Sequence, residues 1–158
     1  MIKIKLVCVG KIKDNYLNAG ISEYLKRLGG YCSFEIIEVK DEKIVANTSE
    51  EKIKEIESNR IVEKIDDRDY VILLDLRGKQ LSSVELAVKL DSLISQGVGS
   101  YCFVIGGSLG VSENLRNKAN FLLSFSKLTF THQMMRLLLM EQIYRVFKIN
   151  NNETYHKW

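Results

Sequence analysis

The stretch Tyr101-Cys102-Phe103-Val104-Ile105-Gly106-Gly107-Ser108-Leu109-Gly110 decides the fold class. An unbroken apolar run this short, closed by glycines, reads as a strand covered on both faces. Parallel sheets produce such runs because their crossover helices bury both sides. The glycines give the strand a tight exit and allow the backbone to approach a ligand closely. Tyr70–Leu76 has the same character and leads into a turn at Arg77-Gly78-Lys79.

Outward from this pair, strands and helices alternate. Ile2–Val9 alternates apolar residues with Lys3 and Lys5 and reads as a strand. Asp14 caps a helix to about Leu28 that presents Tyr16, Ile21, Tyr24, Leu25 and Leu28 on one face, and Gly29-Gly30 stops it. Phe34–Val39 is a second strand. Thr48-Ser49-Glu50-Glu51 opens a helix through Ile53, Ile56, Ile61 and Ile65 that ends near Asp66. Ser82 or Ser83 caps a helix through Leu86, Leu90, Leu93 and Ile94, and Gly97 or Gly99 ends it. Ser112 starts a short helix to about Asn120, and Leu122–Phe125 is a last short strand. The final helix spans about Gln133–Ile149, with Met134, Leu137, Leu138, Ile143 and Phe147 apolar. Strand and helix alternate five times, which predicts a single α/β domain over residues 1–158 with a parallel-rich sheet.

The 158 residues suffice for a core without disulfides or metals. No apolar run is long enough for a membrane span, and Met1–Val9 is too interrupted for a secretory signal. Cys8, Cys32 and Cys102 form an odd set without CxxC spacing, against both a disulfide framework and a zinc site. Cys8 and Cys102 lie in strand-like runs and read as buried, reduced thiols, so a cytoplasmic protein is expected. Proline is absent, where average usage would supply roughly eight. Net charge is +3 but uneven: residues 1–70 carry 13 Lys/Arg against 14 Asp/Glu, and residues 114–158 carry seven against two. That basic end points toward a polyanion, with a solvated surface as the plainer explanation.

Ligands of open parallel sheets bind outside the carboxyl ends of the strands. Three segments meet that condition: Leu74–Gly78, Ile105–Gly110, and Ser124 to Phe130. The glycine loop is neither GxGxxG after a first strand nor followed by GK[ST], so a phosphate loop is weakly supported. Asp75 is either a turn residue or a pocket residue, Arg77 and Lys79 read as solvated, and His132 reads as a helix cap. No Ser-His-Asp set, paired carboxylates or metal-ligand spacing occurs. The tail Glu153-Thr154-Tyr155-His156-Lys157-Trp158 concentrates rings and a cation suited to stacking on bases and holding phosphate, or to docking on its own core or a second subunit.

The same segments carry a resemblance. Lys5–Lys11, Tyr24–Leu28, Leu74–Gly78, Val104–Gly107, Leu123–Phe130, His132–Arg136, Glu141–Arg145 and Tyr155–Lys157 are similar, in order and over essentially the whole chain, to the ribosomal RNA large-subunit methyltransferase H family of the SPOUT superfamily. The resemblance implies a SPOUT-type α/β domain whose C-terminal part, about residues 70–158, forms a deep trefoil knot, an exception to the rule against knots. It implies S-adenosylmethionine as cofactor, contacted by Leu74, Gly106, Phe125, Ser126, Lys127, Leu128, Thr129 and Phe130. It implies a homodimer in which the partner's tail completes each site. The substrate implied is a pseudouridine of 23S rRNA, methylated at N3 in the assembled 70S ribosome, with no membrane and no metal involved. His156 is the candidate base for the N3 proton, and Tyr155 and Arg136 are candidates to orient the base or contact phosphate. Gly30 and Thr131 stand where that family often has proline, and Trp158 extends the Tyr-His-Lys ending. The residues alone leave two alternatives: a nucleotide-binding α/β enzyme, and a non-enzymatic RNA- or ribosome-binding factor.

Overall fold

The computed structural model describes residues 1–157. Trp158, and with it the extended ending, lies outside the described residues. The element order is β1 (Lys3–Val9), α1 (Asn15–Leu28), β2 (Ser33–Val39), α2 (Glu50–Val62), β3 (Tyr70–Gln80), α3 (Ser83–Ser95), β4 (Ser100–Ile105), α4 (Glu113–Lys118), β5 (Phe121–Ser124) and α5 (His132–Asn150). The strands form one sheet in the order β2-β1-β4-β3-β5, and every pair is parallel.

Alternation along each strand sorts the core onto two faces. Leu6, Cys8, Ile72, Phe103 and Ile105 pack with Leu17, Ile21 and Leu28 of α1, Leu86 and Leu90 of α3, and Leu139, Met140 and Ile143 of α5. Val7, Val9, Leu73, Cys102 and Val104 pack on the other face with Ile61 of α2 and Leu115 of α4. Connections that step toward β2 run over the first face and those that step toward β5 run over the second, so all four crossovers share one hand. After β5, α5 returns across the first face and packs between α1 and α3.

Capping follows the expected chemistry. Ser49 Oγ accepts from Lys52 N, Ser112 Oγ from Leu115 N, and Ser82 forms a full capping box with Glu85. Asp14 has an extended N-cap backbone but makes no side-chain cap bond. All three cysteines are buried free thiols, as read for Cys8 and Cys102. Burial pushes the Cys8 and Cys32 thiols up to about 11 and Cys102 to about 12. No helix among the described residues is long and apolar enough to cross a membrane.

Four local expectations are corrected. The turn at Arg77-Gly78-Lys79 lies inside β3: Leu74 and Lys79 both oppose Leu123, and residues 75–78 bulge out between them. Gly78 is required there, because a Cβ would stand 2.6 Å from the Leu122 carbonyl carbon. On α1 the buried position is Leu17, and Tyr16 is exposed. On α5 Met134 is exposed, whereas Arg136 is buried with Leu139, Met140 and Ile143. Finally, His132 does not cap α5. Thr131 does, its Oγ1 accepting from Met134 N at 3.3 Å, which gives the expected proline position a capping function.

Candidate active site

The carboxyl ends of β3, β4 and β5 open into one cavity of about 440 Å³. β3 supplies Leu74 to Arg77, β4 and its exit loop supply Ile105 to Ser108 with Gly110 and Val111, and β5 and its exit supply Leu123 to Ser126 and Leu128 to Phe130. Arg116 adds to the rim, and His132 and Met135 reach in from α5. The volume is that of a small-molecule site, about 300–1,000 Å³.

Each wall is held by local bonds. The Ser124 hydroxyl donates to the Ser126 carbonyl at 3.2 Å, and the Leu128 N–H donates to Ser126 Oγ at 3.0 Å, folding the last loop over the cavity. Leu76, Leu128 and Phe130 are exposed at the mouth. Asp75, whose side chain is almost wholly buried, is ion-paired with Arg116 and accepts from Arg77 N at 2.9 Å. Arg77 and Arg116 in turn share Glu113 Oε1, each at 2.8 Å. Asp75 is therefore a buried brace of the site, whereas Arg77 is solvent-exposed as expected and holds Glu113 from the rim.

The glycine loop turns through Gly110, at φ +92°, whose N–H donates to Gly107 O at 3.0 Å. A Cβ on Gly106 would lie 2.5 Å from Val111 Cγ1, so bare backbone forms that wall. Behind it, a Cβ on Gly107 would lie 2.6 Å from Glu57 Oε1. Glu57 is buried, its other oxygen accepts from Glu42 N at 3.0 Å, and burial pushes its carboxyl upward. Ser58 Oγ next to it accepts from Ser112 N at 2.9 Å. Sequence reasoning passed over this brace, although Glu57 lies four residues from both Ile53 and Ile61, on the buried stripe of α2.

His132 is half-buried on the inner wall. Burial, and then the positive charge of Arg136, push its imidazole down against the opposing pull of Asp41, so the neutral form is favoured near pH 7.

The expected cofactor residues meet here: Leu74, Gly106, Phe125, Ser126, Leu128, Thr129 and Phe130 all line the cavity, and Lys127 lies on the same loop, exposed and outside the lining. The expected catalytic set is not brought to this cavity within the chain. Arg136 is 2% exposed, with Nη1 2.6 Å from Glu38 Oε2 and Nη2 donating to the Val9 and Gly10 carbonyls. Tyr155 packs edge-on against Tyr144, beneath the Arg145 guanidinium, and donates to Glu141 Oε1 at 3.0 Å. His156 Nδ1 is 3.1 Å from Arg145 Nη1. At 1.5 Å per residue, Arg145 lies about 20 Å along α5 from His132.

A family profile described as "Predicted SPOUT methyltransferase" matches residues 2–156. The chain is 52% identical to the ribosomal RNA large subunit methyltransferase H of Clostridioides difficile strain 630, over 99% of this chain and 100% of that protein. It is 50% identical, with the same coverage, to the protein of that name from Bacillus thuringiensis strain Al Hakam. Among solved structures, that of a probable methylase family protein from Haemophilus influenzae Rd KW20 aligns with a TM-score of 0.59 over 98% of this chain and 70% of that one. Its identity is 18%, so that likeness speaks to the fold alone. The full-length profile match, the half-identical relatives of equal length and the strand-end cavity together establish that this chain belongs to the SPOUT methyltransferase family.

Proposed function

We propose that this chain is a homodimeric, cytoplasmic methyltransferase that uses S-adenosylmethionine to methylate N3 of a pseudouridine in 23S rRNA of the assembled ribosome. The observation that carries the reading is the convergence of three strand-end loops on one cavity lined by all the expected cofactor residues but Lys127. The fit is physical: the volume suits an adenosine-sized ligand, the Gly106 wall offers backbone groups, and Leu74, Ile105 and Phe125 offer apolar surface.

When bound, S-adenosylmethionine supplies an electrophilic methyl group on a sulfonium. The residues of the chain do the rest. The Ser124–Phe130 loop and the Gly106 backbone hold and orient the donor, and the apolar mouth excludes water. The target N3–H must lose its proton to a neutral base as the N–C bond forms and the C–S bond breaks. His156 is proposed for that proton and Tyr155 for orienting the base, both acting on the partner's cavity. Their distance from the cavity of their own chain supports action in trans. Arg136, buried and engaged through both of its terminal nitrogens, is a positioning residue for α5.

A C-terminal knot over about residues 70–158 belongs to the same proposal. Its support is that the β3–α3 and β5–α5 connections both leave from the carboxyl edge of the sheet, just beyond the point where Gly78 of β3 presses against Leu122 and Leu123 of β5. The deciding experiment incubates the protein with labelled S-adenosylmethionine and 70S ribosomes lacking the modification, followed by mass spectrometry of the rRNA. One methyl group on a 23S pseudouridine is expected. Ribosome binding without methyl incorporation would sink the reading.

A further inference from the structure

A second cleft, of about 880 Å³, lies beside the cavity at the carboxyl ends of β1 and β2. The two share a wall made of Gly107, Ser108 and His132. Lys11 and Lys13 line this cleft from the loop after β1, and Lys40 and Lys43 from the loop after β2. Among the described residues none of the four lysines is in an ion pair. The acidic residues of the cleft are largely spent: Glu38 pairs with Arg136, Glu42 pairs with Arg60, and Glu57 is buried against the glycine loop. Among the described residues, Asp41 is the one exposed carboxylate of the cleft outside any ion pair. The charge count along the chain is thereby inverted in space. Of the seven cations in residues 114–158, Arg116, Arg136, Arg145 and Lys148 are consumed in ion pairs, whereas the evenly charged N-terminal part brings four unpaired lysines together in this cleft.

We propose that this cleft holds the RNA strand flanking the target nucleotide, with Lys11, Lys13, Lys40 and Lys43 on its phosphates, and that the target base crosses the His132 wall into the methyl-donor cavity. The proposal rests on the rRNA methyltransferase reading above. An enzyme acting on a base must take it out of its stack into a pocket. Here a roomy cationic cleft adjoins a smaller, largely apolar cavity, which separates phosphate binding from base chemistry. Glycine at 107 keeps the wall low, since the space a side chain needs is taken by Glu57.

The test compares the unaltered chain with the quadruple variant Lys11→Gln, Lys13→Gln, Lys40→Gln, Lys43→Gln, and with the control Lys64→Gln, an exposed lysine outside the cleft. Ribosome affinity is measured against salt, together with methyl-transfer kinetics, S-adenosylhomocysteine calorimetry, thermal unfolding and sedimentation. The four lysines are exposed, so unchanged unfolding is expected. The slope of log affinity against log salt should fall by roughly 0.7 for each lysine that contacts a phosphate of a single strand. KM for ribosomes should rise by about tenfold or more, with kcat and the calorimetric affinity within twofold. An unchanged slope and KM, an equal effect of the control, or a loss of dimer in place of a loss of ribosome affinity would each overturn the inference. Failure of the unaltered chain to transfer methyl refutes the enzymatic reading instead, and the salt slope of ribosome binding still decides the cleft.

Discussion

Arg136 on α5 reaches Glu38 on β2, with Nη1 2.6 Å from Oε2, while its Nη2 donates to the Val9 and Gly10 carbonyls at 2.9 and 2.7 Å. One guanidinium thus ties the second turn of the last helix to the carboxyl ends of two strands. Its removal leaves two carbonyls with no donor and frees α5 at the wall shared by the two clefts. Arg136→Met should therefore cost roughly 2–4 kcal/mol of stability in chemical unfolding. Glu38→Gln should cost about 1 kcal/mol or less, because that carboxylate is partly in water. Equal costs for the two would contradict this account of the tie.

Gly78→Ala places a Cβ 2.6 Å from the Leu122 carbonyl carbon and 2.7 Å from Leu123 N, so backbone rather than a side-chain tip must yield. A loss of more than about 2 kcal/mol is expected, with weaker S-adenosylhomocysteine binding, since Leu123 lines the cavity. Gly99→Ala meets nothing within 4 Å and should stay within about 0.5 kcal/mol of the parent. A Gly78→Ala protein as stable as Gly99→Ala would show that the close approach of β3 to β5 places no demand on residue 78.

Most of this architecture was legible in the sequence. All ten elements stand in the expected order because hydrophobic period, caps and glycines agree locally. The three site loops were legible because a parallel sheet commits ligands to its carboxyl edge. What was hidden depended on pairing in space. Arg136 reads as a group for the target base or phosphate until Glu38 and two strand-end carbonyls are found beside it, 98 or more residues away. Glu57 reads as one acidic residue in a charged helix, and the free lysines are invisible to a charge count because pairing decides which charges remain. The continuation of β3 past Gly78 was hidden for the opposite reason: Arg-Gly-Lys is good local turn chemistry, and the pairing with β5 overrides it.

The titrations of two groups bear on stability with the same sign but in separate pH windows. Burial opposes the charge on Asp69, but Lys5 at 2.8 Å and the Ser100 hydroxyl at 2.6 Å outweigh it and hold the carboxyl below its ordinary value. A depressed carboxylate contributes stability above its unfolded pKa, about 3.9, that is lost as pH falls through the folded value. Asp69→Asn should thus flatten the acid limb below about pH 4. His132 has a lowered folded value, so protons favour the unfolded chain and stability falls as pH drops below about 6.5. His132→Gln should remove that slope and leave the acid limb intact, as read from urea midpoints across pH.

The tail offers a test in trans. A His156→Ala chain keeps its cavity, and a Ser126→Trp chain keeps its tail with the cavity filled. Each homodimer should be inactive. A random mixture is half heterodimer, each with one competent site, so about a quarter of wild-type activity should return if dimers are symmetric pairs. No recovery from mixed dimers confirmed by sedimentation would place the catalytic proton acceptor elsewhere, with His132 the remaining imidazole among the described residues.

Refolding tests the proposed knot. The chain has no proline, so X-Pro isomerisation, the usual source of phases lasting tens of seconds, is not available to it. To lie between α1 and α3, α5 must be carried from the edge strand β5 past the β3–α3 connection, which follows directly on the part of β3 where Gly78 touches β5. If that passage is a threading step, it is slow and unimolecular, whereas assembly of two chains is bimolecular. Refolding from urea should therefore show a slow phase whose rate is unchanged across a tenfold range of protein concentration. A separate, concentration-dependent phase should accompany dimer formation. A prolyl isomerase should accelerate neither, and acceleration through its catalytic activity would contradict the threading account.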